Sequence, residues 1–424
     1  MNQGQAWKAV LASTIGNVLE WYDFVVFGFL SIIIAKQYFP SSDPYAAMLL
    51  TTATFGAGFI VRPLGGVLLG MYADRHGRRA GLSLVIFLMT VAALIIGLTP
   101  GYRAIGLAAP VLVLLARLIQ GISAGGEFGT ATAMLVEYAP PGRRTFYGSW
   151  QNFAQGAGAL LAIAMGSLLT NGFSEAARDA WAWRIPFLFG MLIGPVGLYV
   201  RRRMPETEAF QRLGQPPAVP LARVLKQYPR ELLIATSLST AHNVMGYVII
   251  TYLPIYAVQT LGLPIGLPFT VLLVAMVLRV LLVPAFGILG DRIGARRLML
   301  VALGLFLIVL YPGYWWMVRS PSMTSVMTVE IIFAVLVAAA TSPVPTACAD
   351  LFPTEVRATG LAISYNIGSA LFGGSSPFVL TWLLHTTGNR MMPAHYAAVF
   401  FVAGWIGAWM LGRPVASPPP IPAN

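Results

Sequence analysis

Residues 55–79 read FGAGFIVRPLGGVLLGMYADRHGRR, an apolar run rich in glycine that contains one arginine, Arg62, and ends in a strongly charged turn. The same arrangement recurs at residues 272–296, which read LLVAMVLRVLLVPAFGILGDRIGAR. A constant offset of 217 aligns Arg62 with Arg279 and aligns the aspartate, arginine and glycine residues of the two turns. The chain therefore contains an internal repeat.

The spacing between the arginine and the turn has a physical meaning in each copy. Twelve residues separate Arg62 from Asp74, and twelve separate Arg279 from Asp291. At the rise of a helix this is about 18 Å, which is more than half the hydrocarbon thickness of a bilayer. Because a charged side chain inside a membrane is costly and usually serves a site, the repeat predicts two guanidinium groups near the midplane.

The composition indicates a membrane protein. Of the 424 residues, 57% are hydrophobic and only 10% are charged, and the mean hydropathy is +0.74. Soluble globular domains carry about 25% charged residues, so that class is excluded. Long apolar stretches between short polar loops predict an all-α membrane protein, because a helix satisfies its own backbone hydrogen bonds in lipid. The single cysteine, Cys348, excludes an internal disulfide and a cysteine-rich metal site.

The net charge of +12 does not indicate a nucleic-acid partner, because most of the basic residues lie in the loops between the predicted spans. Three of the 27 basic residues lie within predicted spans: Arg62, Arg117 and Arg279. Six lie in the loops or at the helix ends of one side: Lys36, Arg103, Arg178, Arg184, Arg319 and Arg390. The remaining 18 lie on the other side, which the positive-inside rule assigns to the cytoplasm together with both termini. No cleavable leader is recognised at the start, so we expect the first span to be retained.

We predict twelve transmembrane helices, six on either side of a polar loop. The predicted spans are 10–35, 46–72, 80–99, 108–138, 146–171, 184–202, 231–258, 266–289, 296–318, 324–349, 358–385 and 394–412. They define four regions: an N-terminal six-helix bundle at 1–200, a cytoplasmic linker at 201–230, a C-terminal six-helix bundle at 231–412 and a cytoplasmic proline-rich tail at 413–424. The linker carries seven basic and two acidic residues.

A second repeat supports two equivalent halves. Residues 137–144 read EYAPPGRR and residues 350–357 read DLFPTEVR, with acid, proline and arginine aligned at a constant offset of 213. Two independent matches at nearly equal offsets predict two parallel six-helix repeats, related by an axis along the membrane normal.

These motifs resemble those of a known family. GMYADRHGRR and GILGDRIGARR resemble the signature loop of the major facilitator superfamily, and the resemblance covers nearly the whole chain. GNVLEWYDFVVFGF from Gly16, RLIQGISAGGEFGT from Arg117, WRIPF from Trp183 and PETEAF from Pro205 are similar to its metabolite:proton symporter branch. This resemblance implies proton-coupled uptake of citrate and related carboxylates, 2-oxoglutarate or shikimate, or of zwitterions such as proline and betaine. Arg279 departs from the branch, in which an arginine at this position is not typical.

Four ionisable residues are candidates for coupling the proton. Asp23 lies about 19 Å deep in the first span and Arg117 about 10 Å below the opposite surface, so the two depths permit a pair. The pair resembles the acid–arginine couple of proton-driven sugar carriers, and it acts either as a proton switch or as a permanent ion pair. Glu127, on the fourth span, is a second proton site or a neutral carboxyl packed in a helix contact. Glu20 is the third candidate, or a partner for a basic side chain.

The predicted substrate site contains both midplane arginines. Guanidinium groups bind carboxylates in a bidentate manner, so Arg62 and Arg279 together suit the two ends of a di- or tricarboxylate. Alternatively, Arg62 pairs with Glu20 or Asp23 to hold helices together. Neutral polar residues on spans that line the cavity in this fold complete the candidate set: Asn152, Gln155, His242, Asn243, Tyr247, Tyr365 and Asn366. His242 either titrates or is a hydrogen-bonded imidazole.

Charged residues in the matched turns predict a cytoplasmic gate whose salt bridges form and break as the two halves move. The candidates are Asp74, Arg75, Arg78, Arg79, Glu137, Arg144, Asp291, Arg292, Asp350 and Arg357. A role in topology alone is the alternative, since basic loops orient the spans in any case.

These observations favour a proton-coupled importer of a small organic anion, a multi-pass protein of the inner membrane that works as a monomer without cofactor or metal. A symporter of zwitterionic osmolytes remains open. A drug exporter is disfavoured because the fifth span, WQNFAQGAGALLAIAMG, has no proline. An enzyme or receptor is disfavoured because the chain shows no metal cluster, nucleophile arrangement or phosphate loop.

Overall fold

The structure is a computed structural model. It describes residues 3–39, 44–202, 205–213, 220–264 and 266–412. Most of the proline-rich run of the predicted linker, and the whole predicted tail from residue 413, lie outside these residues. Within them the regular structure is helical.

Twelve helical spans follow the predicted ones closely. Span 1 is Gln3–Phe29 and Ser31–Tyr38; span 2, Pro44–Ile60 and Arg62–His76; span 3, Arg78–Leu98; span 4, Ala108–Glu137; span 5, Arg144–Gly172; span 6, Ile185–Arg202; span 7, Pro229–Val244, Met245–Tyr252 and Leu253–Gln259; span 8, Gly266–Ile293; span 9, Ala295–Arg319; span 10, Met323–Thr341 and Val344–Asp350; span 11, Arg357–Ile367, Gly368–Gly373 and Ser376–Thr387; span 12, Met392–Met410. Short helices between them are Tyr102–Ile105, Glu175–Ala180, Ala182–Arg184, Glu208–Gln211, Pro220–Gln227 and Thr354–Val356. The prediction of twelve transmembrane helices is thus confirmed.

Eight of the spans, numbers 3, 4, 5, 7, 8, 9, 10 and 11, are each long and apolar enough to cross a membrane by length and composition. Large apolar side chains cover the outside of the molecule, among them Ile60, Leu107 and Phe378. An apolar exterior of this kind is what contact with lipid requires, because lipid does not hydrate polar side chains.

Each half has its own apolar core. Leu19, Tyr22 and Ile86 belong to the core of spans 1–6, and a second core contains Phe306 and Phe401 and is built from spans 7–12 with Ala159 of span 5. A third cluster contains residues of both halves, with Ala133 and Val136 of span 4 beside Cys348 of span 10. The halves therefore fold around largely separate cores, and this shared cluster joins them at the end that also carries the basic turns, which we call the basic side.

Several spans depart from a regular helix near the centre of the molecule. Span 2 is interrupted at Val61, directly before Arg62 and Pro63. Spans 7 and 11 each contain a π-helical segment, Met245–Tyr252 and Gly368–Gly373, and the two segments contact each other. Wide turns of this kind occur mostly at functional sites, because they redirect side chains within an otherwise continuous helix.

Spans 2 and 4 cross at very short distance because glycines line their contact. A Cβ atom on Gly65 would lie 2.1 Å from the carbonyl oxygen of Ile122, and one on Gly125 would lie 2.1 Å from that of Arg62. Small residues allow this close approach of backbones in membrane helices. The contact fixes Arg62 against span 4.

Candidate functional site

Arg62 lies at the start of the second helix of span 2, where the interruption turns its side chain toward span 1. It is buried and forms an ion pair with Glu20. Its guanidinium also stacks over Phe24, 4.6 Å from the ring centre, and over Phe59, at 5.2 Å. The sequence left two interpretations of Arg62 open, and the structure contains the pairing with Glu20.

Arg279 has a different environment although it occupies the repeated position in span 8. It is buried, and in the described part of the chain no carboxylate lies within ion-pair distance of it. Its Nε atom has no hydrogen-bond partner among the described residues. Its guanidinium lies close enough to His242 and Tyr365 for electrostatic interaction. A buried cation without a described counter-ion is a natural position for an anion.

Tyr365 of span 11 lies near both Arg62 and Arg279. Its hydroxyl accepts a hydrogen bond from Nε2 of Gln155 at 3.2 Å, and its ring stacks on Phe128 with centroids 3.6 Å apart. Both contacts cross from one half to the other. Because Tyr365 also lies within electrostatic range of Arg62 and of Arg279, both guanidinium groups border one region between the halves.

Two of the predicted amide residues bridge the halves. Asn152 of span 5 donates to the carbonyl oxygen of Thr341, exposed by the interruption of span 10, at 2.8 Å. Asn366 of span 11 donates to the carbonyl oxygen of Gly125 in span 4 at 2.7 Å. These bonds must break if the halves separate at this depth.

The other predicted polar residues lie in the C-terminal half. Asn243 donates to Ser239 of its own helix at 2.8 Å. Tyr247, in the π-helical segment of span 7, lies near the Arg62–Glu20 pair. The His242 ring is 6.1 Å from that of Tyr365, and its Nδ1 atom has no hydrogen-bond partner among the described residues. The interpretation of His242 as a hydrogen-bonded imidazole is therefore not supported at Nδ1.

Asp23 and Arg117 are brought together, with Gln120 between them. Gln120 accepts a hydrogen bond from Nη1 of Arg117 at 2.6 Å and donates to Oδ2 of Asp23 at 3.4 Å. Oδ1 of Asp23 is buried and has no hydrogen-bond partner in the part of the chain that the structure describes. The two ions thus interact through an amide, and Asp23 retains an oxygen that is able to accept a proton.

Glu127 pairs with Arg201, which sequence reasoning assigned to the cytoplasmic linker. Arg201 is in fact buried at the end of span 6, where it donates to Glu127 at 2.7 Å and to the carbonyl oxygen of Leu82. A Cβ atom on Gly16 would lie 1.9 Å from the Arg201 guanidinium, so the pair needs a glycine on span 1. Glu127 therefore has a basic partner within its own half, supplied by a long side chain from the end of span 6.

Predicted gate residues of the first signature loop meet span 11 on the basic side. Asp74 accepts backbone N–H bonds from Ala358 and Thr359 at 3.2 and 2.9 Å, and so caps the first turn of span 11. Arg78 donates to Asp74 at 2.6 Å and also pairs with Glu137. The three charged residues Asp74, Arg78 and Glu137 all come from the N-terminal half, so the start of span 11 is held by charges of the opposite half.

The second signature loop makes the mirrored contact. Asp291 accepts backbone N–H bonds from Thr145 and Phe146, at 2.7 and 3.0 Å, and so caps the first turn of span 5. Two symmetric ion pairs accompany the caps: Arg357 with Glu137 at 2.7 Å, and Arg144 with Asp350 at 2.5 Å. We call these two caps and two ion pairs the basic-side gate. All four contacts join the halves, so the basic side is closed in this structure.

The two mirrored sets differ in burial. Glu137 is buried with its partners, whereas the side chains of Arg144 and Asp350 are 42% and 51% exposed. The remaining predicted gate residues, Arg75, Arg79 and Arg292, have exposed side chains. The buried ionic contacts of the gate are therefore those around Glu137, and the ion pair of Arg144 with Asp350 is exposed to solvent.

Three charged residues were missed from the sequence-based set. The sequence places Arg201 in the linker, and its contact with Glu127 is visible only in the tertiary structure. Glu206 accepts the backbone N–H groups of Arg78 and Arg79, at 3.0 and 3.1 Å, from the linker. Glu330 is buried in span 10, and an acid inside an apolar run was a signal available in the sequence.

Two repeated six-helix halves, a polar buried region bordered by both of them and a cluster of charged contacts at one end are the features of a membrane transporter. Residues 8–216 and 217–412 each match the family described as "Sugar (and other) transporter". The chain belongs to the major facilitator superfamily, in its metabolite:proton symporter branch, and the family consists of transporters.

Relatives with two kinds of substrate resemble this chain equally. It is 34% identical over 418 residues to the proline/betaine transporter of Escherichia coli (strain K12), covering 96% of this chain and 83% of the relative. It is 35% identical over 408 residues to the citrate-proton symporter of Klebsiella pneumoniae, covering 96% and 91%. Among solved structures, the proton:xylose symporter XylE bound to 6-bromo-6-deoxy-D-glucose matches with a TM-score of 0.80 at 17% identity, covering 97% and 96%. This last likeness concerns the fold alone.

Proposed function

We propose that this chain is a proton-coupled importer of a small di- or tricarboxylate, such as citrate, working by alternating access. The observation that carries the proposal is Arg279, a buried guanidinium without a described counter-ion beside Tyr365 and His242. In this proposal the protein is a monomer in the inner membrane with both termini in the cytoplasm, and the proton is its coupling ion. It needs no cofactor.

The proposed binding step starts at Arg279, whose planar guanidinium accepts a carboxylate in a bidentate manner. A second carboxylate of the same molecule then competes with Glu20 for Arg62. A proton taken up by Glu20 removes that competitor and leaves Arg62 available to the substrate. Proton and anion therefore favour each other's binding, which is what symport requires. Asp23, through Gln120 and Arg117, is a further place for a proton.

Uptake into proteoliposomes tests this proposal. With a pH gradient, the purified protein should accumulate at least one of citrate, tricarballylate, 2-oxoglutarate or succinate. Arg279→Gln should weaken binding by about 2 kcal/mol or more, roughly thirtyfold, since one partner of a buried charge pair is lost. Arg297→Gln is the matched control, because its side chain is exposed at the start of span 9. Wild-type vesicles without gradient-driven uptake of any of these acids would refute the proposal.

A symporter of zwitterionic osmolytes is the second candidate, and the Arg62–Glu20 pair is the observation that favours it. With Arg62 neutralised by Glu20, Arg279 alone remains for a single carboxylate. A quaternary or secondary ammonium would then lie near Glu20, Phe24 and Phe59, where a carboxylate and two aromatic faces attract a cation.

Glu20→Gln separates the two candidates. For a dicarboxylate, this change frees Arg62, so anion binding should persist and lose its pH dependence. For a zwitterion, the change removes the partner of the ammonium, so binding of proline or betaine should fall at least tenfold. Thermal-shift titrations of both ligand types at two pH values measure this difference.

A further inference from the structure

Glu330 lies in the apolar interior of the C-terminal half, outside the region between the halves. It is 1% exposed, and neither carboxylate oxygen has a hydrogen-bond partner among the described residues. The apolar residues Val326, Val329 and Phe333 precede and follow it on span 10 and belong to the core of that half. No part of the proposed substrate site uses this carboxyl group.

The neighbouring ionisable groups are tyrosines. Tyr314 of span 9 lies beside Glu330, and its hydroxyl is also buried without a hydrogen-bond partner in the described part of the chain. Tyr252 and Tyr256 of span 7 face the same Tyr314 hydroxyl. Span 8, which also packs on span 10, contributes Arg279, whose guanidinium interacts with His242 and Tyr365 instead.

No described lysine, arginine or histidine lies within ion-pair distance of Glu330. An ionised carboxylate without a counter-ion is too costly to bury in the apolar interior of a membrane bundle, so the group must be neutral. A neutral carboxyl group carries a proton. Glu330 therefore carries a proton in this structure, in which the basic side is closed.

The internal repeat gives this position a counterpart. The offset of 213 that relates Glu137 to Asp350 also relates Arg117 to Glu330. On the side opposite the gate, Arg117 lies about 14 Å from the start of its helix and Glu330 about 10 Å from the start of its own. One half thus carries a cation linked to the candidate proton site Asp23, and the other half carries an acid at the equivalent position.

We propose that Glu330 is a second proton site of the transport cycle, an inference that rests on the proposed proton coupling. Water on the side opposite the gate delivers the proton to a Glu330 carboxylate oxygen, which gives the neutral acid of the closed state. Rearrangement of span 7, whose π-helical segment Met245–Tyr252 ends beside this cluster, admits water as the gate opens. The proton then passes to water on the gate side, and the carboxylate is restored.

The test compares wild type with Glu330→Gln and Glu330→Asp in proteoliposomes, using two measurements. Infrared difference spectra on substrate binding and on a pH change report the carbonyl stretch of a neutral carboxylic acid. The reversal potential, which is the membrane voltage at which net uptake is zero, gives the number of protons transported per substrate. Substrate exchange without a gradient shows that each variant is folded and binds.

We expect Glu330→Gln to lose one neutral-acid band, to retain exchange and to transport one proton fewer per substrate. Glu330→Asp keeps a carboxyl group and should retain both the band and the ratio. An unchanged spectrum or an unchanged proton ratio in the exchange-competent Gln variant would overturn the inference. Absence of proton-driven uptake in the wild type would instead refute the proposed function, since the infrared band still reports whether Glu330 carries a proton.

Discussion

Arg62, Arg117, Arg201 and Arg279 all lie buried among the spans, yet their surroundings differ. Arg62 and Arg201 form direct ion pairs with Glu20 and Glu127 of the same half. Breaking such a pair by removing one partner costs about 3–5 kcal/mol, because the remaining charge stays buried. These pairs therefore constrain the N-terminal half, whereas Arg279 has no carboxylate within ion-pair distance among the described residues.

Substitution of Asp23 is the most direct test of proton coupling. Asp23→Asn removes the titratable group and leaves an amide able to hydrogen-bond to Gln120, so the local packing should persist. We expect exchange of substrate across the vesicle membrane to continue while uphill accumulation driven by a pH gradient is lost. Uptake of labelled substrate, with and without the gradient, measures this.

Glu208→Gln provides the control for this experiment, because Glu208 is an exposed acid whose partner, Arg212, directly follows the same short helix. Its accumulation should equal that of wild type. If Asp23→Asn accumulates substrate as well as the control does, Asp23 has no part in coupling.

At the scale of helices, the short contact between spans 2 and 4 determines where Arg62 lies. The glycines Gly65 and Gly125 allow the backbones to approach so closely that a single methyl group would overlap a carbonyl oxygen. The contact joins the helix that carries Arg62 to the helix that carries Arg117, Gln120 and Glu127. Helix packing and charge placement in this half thus depend on each other.

Replacement of a glycine in this contact should destabilise the protein. Gly125→Ala places a Cβ atom 2.1 Å from the carbonyl oxygen of Arg62, so the helices must separate. Overpacking of a close-packed interior costs about 1–3 kcal/mol. We expect a lower thermal unfolding temperature in detergent, measured by intrinsic fluorescence, together with weaker transport.

Gly28→Ala is the matched control, because a Cβ atom at that position of span 1 meets nothing within 4 Å. Its unfolding temperature should remain that of wild type. An equal fall of the unfolding temperature in the two variants would show that the contact between spans 2 and 4 is not the cause, since alanine forms helix better than glycine.

Across the whole molecule, the halves are joined in two ways. On the basic side the gate combines two helix caps with two ion pairs, and deeper in the molecule Asn152, Gln155 and Asn366 form hydrogen bonds from one half to the other. The ionic contacts are reversible, since each exchanges a partner for water when the halves separate. The proposed alternating access therefore requires the basic-side gate to open.

A cross-link across the gate should stop transport. Arg144→Cys combined with Asp350→Cys replaces the exposed ion pair, and the one native cysteine, Cys348, is buried. A short thiol-specific bifunctional reagent should then join the halves and abolish uptake, whereas each single variant treated in the same way should keep it. Undiminished uptake by fully cross-linked protein would exclude opening at this end.

Sequence patterns predicted much of this architecture because the signals are local. Apolar runs of about twenty residues define the spans, and the offsets of 217 and 213 define the halves together with the gate residues. Asp74 and Asp291 occupy equivalent positions in both the sequence and the structure, each capping a helix of the opposite half. The burial of Arg62 and Arg279 also followed from their positions in apolar runs.

Only the tertiary structure decided which charges are paired. Arg62 meets Glu20 across 42 positions of the chain, Arg201 meets Glu127 across 74, and Gln120 reaches Asp23 across 97. These choices depend on the rotation of each helix about its axis and on the reach of long side chains, neither of which hydropathy specifies. The same packing leaves Arg279 and Glu330 without a described counter-ion, and their chemistry follows from that placement.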